Sequence, residues 1–210
     1  MVGLKLLTFY QSLIDFCFFL LVFFTYFNRI FQYMDDYDIG ILAIRYYFNT
    51  DDGLEAYVRA PFDDFDKYFC DKQKNLKRLS EVCDNYSNFK SAGIVFIVLS
   101  SISMAFMLYG QIYLVGRMFK SQRAFFSFKF AHIIYPIVFS LAVACYLGIS
   151  QIFTLSPPSK DCSNEKCQVE PEVGIYSLFA AELACLASLL LFVFSNKRIN
   201  RLLYPPELTK

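Results

Sequence analysis

Four long apolar runs, separated by polar stretches of very unequal length, set the pattern of this chain. A hydrocarbon core about 30 Å thick is crossed by about 20 helical residues. Runs of that length extend from Leu6 to Phe27, Ala92 to Tyr113, Phe130 to Phe153 and Val173 to Phe194. They predict an all-α membrane protein, a bundle of four transmembrane helices within residues 1–27, 92–116, 130–153 and 173–195. The intervening segments are a large loop (28–91), a turn (117–129), a second loop (154–172) and a tail (196–210). No small-residue cleavage site follows the first run, so it reads as a retained helix rather than a signal peptide. Pro136 is expected to kink the third helix.

Composition agrees. Hydrophobic residues make up 56% of the 210 and charged residues only 19%, against about 45–50% and 25% in soluble domains. The 25 Phe and 15 Tyr, with no Trp, read as lipid-facing and helix-packing side chains. A net charge of +1 gives no basic surplus for nucleic acid.

Charge also orients the chain, because Lys and Arg near helix ends are retained in the cytosol. Residues 1–27, 92–153 and 173–210 hold nine basic residues, including Lys5, Arg117, Lys129 and Arg201, and one acid outside the spans, Glu207. The two large loops hold eleven bases and sixteen acids. Both termini are therefore expected in the cytosol and both loops outside, with the plasma membrane as the default location. On that reading the cytosolic parts, a short stub, a turn and a tail, are expected to hold no catalytic or signalling domain.

The cysteines divide by place. Cys17, Cys145 and Cys185 fall in the spans, whereas Cys70, Cys83, Cys162 and Cys167 fall in the outer loops. An even set on the non-cytosolic face predicts a disulfide-stapled cap. Short closures favour Cys70–Cys83 with Cys162–Cys167, and a bridge between the loops is the alternative. Metal binding is disfavoured, because there is one histidine and no CxxC. Within the first loop, IGILAIRYYF and LEAYVRA flank NTDDG and predict a β-hairpin. Leu76, Leu79 and Val82 recur every three residues and predict a short helix. The loop's charge is segregated, acidic over 35–66 and basic over 67–90, as solvated faces that pair with each other would be. Asn85-Tyr86-Ser87 is an N-glycosylation sequon.

Ionisable groups at membrane depth cost at least about 2.5–3.5 kcal/mol each and mark functional or helix-joining positions. Asp15 and His132 enter their helices from the same side at similar depth and are expected to pair, with Lys129 as a substitute partner. Glu182, near the middle of the fourth helix with no basic mate, is expected to be protonated or to hydrogen-bond Ser100, Ser101 or Ser103 of the second. The small residues of AAELACLAS (180–188) permit close helix approach.

Four helices, inside termini, a larger first outer loop with a hairpin and a Cys pair, and a short second loop together resemble the claudin and peripheral-myelin type of tetraspan proteins. The resemblance lies in layout: FDDFDKYF precedes Cys70 where that family carries a Gly-Leu-Trp-x-x-Cys run. The resulting expectation is a non-enzymatic tetraspan acting through its outer loops, as a junction or adhesion element or as an accessory subunit of a membrane complex. Its partners would be the bilayer and another membrane protein or itself. The alternative is a channel or transporter subunit using Asp15, His132 and Glu182. A catalytic role is disfavoured: the chain offers no bis-histidine pair, CxxC or phosphate-cradling glycine loop, and no cofactor is expected.

Overall fold

The structure is a computed structural model that describes residues 2–33, 37–49, 55–61, 77–118, 130–151 and 169–203. In chain order these form α1 (Val2–Phe27), β1 (Arg29–Tyr33), β2 (Tyr37–Gly40), β3 (Ala43–Asn49), β4 (Glu55–Pro61), α2 (Lys77–Met118), α3 (Ala131–Ser150), β5 (Val169–Pro171) and α4 (Val173–Leu203). Four stretches are long and apolar enough to cross a membrane: Leu6–Phe27, Ser87–Val115, Ala131–Ser150 and Val173–Ser195. The chain is an integral, multi-pass membrane protein. In lipid every backbone polar group must be satisfied within the chain, and a helix does this in one segment.

Each helix buries a narrow stripe and leaves the rest to lipid. On α1 the buried positions are Thr8, Gln11, Asp15, Phe18, Val22 and Thr25, alternating steps of three and four that keep one face inward. Between them Phe9, Leu13, Phe16, Leu20 and Phe23 are exposed. That suits hydrocarbon, where outward burial brings no further gain.

The chain divides into two compact units. One comprises Met1–Leu21, Leu99–Ser140 and Ala180–Lys210, and its described residues are helical. The other comprises Val22–Val98 and Leu141–Phe179, and contains all five strands with segments of the four helices.

In the second unit the strands form one antiparallel sheet in the order β4-β3-β2-β1-β5. The expected hairpin is present: β3 pairs with β4 from Ala43↔Pro61 to Asn49↔Glu55. Two further strands of the first loop, β1 and β2, extend it, and β5 from the second loop adds to β1 through Phe31↔Pro171, Gln32↔Glu170 and Tyr33↔Val169. Among the described residues the cap is thus a five-stranded sheet drawn from both loops rather than the single hairpin expected. The helical signal at Leu79 and Val82 belongs to α2, which spans Lys77–Met118 unbroken; Leu76 lies outside the described residues, and no Gly or Pro falls between Lys77 and Ala92 to stop the helix. Asn85 and Cys83 therefore lie on a continuous helix.

The sheet is fixed closely to the helices of its unit. A bulge between Arg29 and Phe31 takes Ile30 out of the β1–β2 ladder, and its carbonyl accepts the Glu172 N–H at 3.0 Å. The Ile175 N–H then bonds the Glu172 carbonyl at 2.9 Å, opening α4 directly behind β5. Gly174 is required here. A Cβ on it would collide with the Arg29 carbonyl oxygen and come within 2.7 Å of both the Arg29 carbonyl carbon and Ile30 Cδ1. Ile30, Ile39, Ile41 and Ile44, in or between the strands, are buried. Nearby, the Thr25 and Ser177 hydroxyls bond at 2.8 Å, and Phe96 contacts Tyr26 and Tyr146 edge-on at 6.1 and 5.7 Å.

Cys70, Cys162, Cys167 and Lys129 lie outside the described residues, as does the turn between β3 and β4. Cys17, Cys145 and Cys185 are free thiols.

Candidate functional site: a buried carboxylate network

The helical unit is polar at its centre. Asp15 is fully buried on α1, and side chains from two other helices donate to its two oxygens. Tyr135 Oη–H of α3 bonds Oδ1 at 2.7 Å, and Gln111 Nε2–H of α2 bonds Oδ2 at 2.5 Å. His132 Nδ1 stands 3.9 Å from the same Oδ2, and Ser188 of α4 lies beside the carboxylate. All four helices thus meet at one acidic group.

The imidazole is held firmly. His132 Nε2 bonds the Gly110 carbonyl at 2.8 Å, so that nitrogen carries a hydrogen, because a carbonyl can only accept. Phe192 stacks on the ring at 5.0 Å with 26° between planes, and Tyr113 and Tyr135 meet it edge-on at 6.4 and 6.1 Å. The ring approaches α2 where that helix has no side chain: a Cβ on Gly110 would stand 2.8 Å from Cε1 and Nε2. Pro136, one residue past Tyr135, leaves the His132 carbonyl without its helical donor. Beside this break the Ser103 hydroxyl donates to the Tyr135 carbonyl at 2.8 Å.

Glu182 is not at this centre's core. Its Oε1 accepts a hydrogen bond from Ser140 of α3, not from the α2 serines expected to serve it, of which Ser103 is turned to Tyr135. Its other oxygen, Oε2, is buried without a hydrogen-bond partner among the described residues. Gln111 and Tyr135 are not among the residues the sequence singles out. The signal for Tyr135 is its three-residue spacing from His132, which sets both on one face of α3. Among the described residues no group of three or more His, Cys, Asp or Glu side chains could hold a metal ion.

No protein-family model, no curated protein and no solved structure matches the chain.

Chemically, the Asp15 network joins helices. Both carboxylate oxygens are met by donors, which favours a charge-assisted, satisfied arrangement. Removing one partner would strand buried groups in hydrocarbon.

Proposed function

We propose that the protein is a non-enzymatic tetraspan of the claudin and peripheral-myelin layout, which acts through the loops on its sheet side as a junction or adhesion element or as an accessory subunit of a larger membrane complex. The observation that carries this reading is the shared sheet. Strands from both loops join in one ladder, and that ladder is tied to α1 and α4 within a residue or two of the membrane spans. A surface held in this way is preorganised for docking, so little ordering opposes binding. The charge distribution supports placing the termini in the cytosol and the sheet outside, at the plasma membrane. On that side Cys70, Cys83, Cys162 and Cys167 would be disulfide-bonded and Asn85 a glycosylation acceptor.

Purification of the tagged full-length protein in mild detergent tests the reading. A second membrane protein, or a second copy, should co-purify in stoichiometric amount, and substitutions on β3 and β4 should release it while the protein stays monodisperse. Recovery of the protein alone, together with unimpaired cell–cell adhesion and intact membrane complexes in cells that lack it, would refute it.

A second reading, as a channel or transporter subunit, is favoured by the buried Glu182 Oε2, which takes no hydrogen bond among the described residues. It requires a cation- or pH-dependent flux in reconstituted vesicles that Glu182→Gln abolishes without loss of folding.

A further inference from the structure

The helical unit contains more buried hydrogen-bonding capacity than the Asp15 network uses. Gln11 is 1% exposed, and neither its amide oxygen nor its amide nitrogen has a hydrogen-bond partner among the described residues. It stands one turn before Asp15 on the same face of α1, with Thr8, also buried, at the next turn back. The Ser188 hydroxyl of α4, also buried, lies beside the carboxylate. A lipid-surrounded helix cannot turn such groups to solvent. In folded proteins, groups of this kind are met by internal water, which bridges two to four of them.

Beyond Asp15 the same stripe changes character. Phe18 contacts Phe139 edge-on at 4.9 Å and Tyr135 at 5.5 Å, and all three are fully buried. Polar positions thus lead from Thr8 through Gln11 to Asp15, and an aromatic cluster follows them there. The 3.9 Å between His132 Nδ1 and Asp15 Oδ2 is also too long for a direct hydrogen bond.

From this arrangement we propose that the helical unit encloses a water site, bounded by Gln11 and Asp15 and closed by Phe18, through which the Asp15–His132 pair exchanges protons with water. Among the described residues the titratable groups near the pair include Tyr113 from α2, Tyr135 from α3, and Cys185 and Glu182 from α4. This role is independent of docking through the sheet.

His132 is the only histidine, so full-length protein labelled with 15N-histidine in lipid nanodiscs gives one ring signal set. The ring N–H should exchange magnetisation with water. Gln11→Leu, which replaces the amide with hydrocarbon, should slow that exchange by about tenfold, the factor set by one hydrogen bond of ordinary strength. Leu13→Val on the exposed face should leave it unchanged. A ring proton that does not exchange with water in the unsubstituted protein overturns the proposal. So does a Gln11→Leu protein with unaltered exchange and a raised melting temperature, because Gln11 would then be a dry, unsatisfied group whose removal is favourable. If Gln11→Leu does not fold, the measurement on the unsubstituted protein decides alone.

Discussion

The same substitution at two glycines should move stability in opposite directions. Gly148, near the end of α3, is exposed, and a Cβ added there meets nothing within 4 Å. Gly148→Ala should therefore recover the usual helical advantage of alanine over glycine, about 0.5–1 kcal/mol. Gly174, in the first turn of α4, is buried against β1. There the added methyl meets the Arg29 carbonyl, with the carbonyl carbon at 2.7 Å. The obstructing atoms are backbone, pinned by the Arg29↔Gly40 pairing and the neighbouring Glu172-to-Ile30 hydrogen bond, so they cannot swing aside as a side-chain end would. Overpacking costs about 1–3 kcal/mol, and the small propensity gain at a helix start cannot offset it. Thermal unfolding in detergent, followed by size-exclusion chromatography of the fluorescently tagged protein, reads both variants. For a chain of this length about 2–4 °C of melting temperature corresponds to 1 kcal/mol, so the two variants should separate to either side of the parent. A Gly174→Ala protein that melts at or above the parent temperature would refute the close approach of α4 to β1.

Asp15→Asn should be mild, about 1–2 kcal/mol or less on the scale of interhelical hydrogen bonds. Asp15→Leu should cost more, because it strands the buried Gln111 and Tyr135 donors at about 1–3 kcal/mol each; unfolding in graded denaturing detergent ranks the two, and equal losses would contradict the network. Gly110→Ala should displace His132 from its carbonyl and shift the histidine ring resonances, which unchanged spectra would disprove. Gln151, with φ of 49° just after α3, occupies the left-handed conformation that suits glycine. Gln151→Gly should therefore raise the melting temperature, by the equivalent of about 1 kcal/mol.

The spans are legible in the sequence because the bilayer imposes length and apolarity locally, so each run such as Val173–Phe194 declares itself. The β3–β4 hairpin is legible for a similar reason, two β-rich runs about a turn. What escapes are structures fixed by distant partners. β5 is three residues long and exists through pairing with β1, more than a hundred positions away, so no local periodicity betrays it. β1 follows α1 so closely that RIFQY reads as the fringe of the apolar run. The proximity of Asp15 to His132 follows from depth alone. The donors Gln111 and Tyr135 depend on how the helices are rotated about their axes, which hydropathy leaves undetermined.

One residue, Asn28, separates the end of α1 from the start of β1, and its side chain already bonds back to the Phe24 carbonyl at 2.7 Å. At the other end one residue, Glu172, separates β5 from α4. Each helical residue advances the chain by about 100°, whereas each strand residue reverses the facing side chain. The rotational phase of these helix ends and the facing of the sheet are consequently a single geometric variable. A one-residue insertion at either junction would turn the strand over rather than lengthen a tether. Mechanically, a load pulling on the sheet would be transmitted as torque on the ends of α1 and α4, with no slack to absorb it.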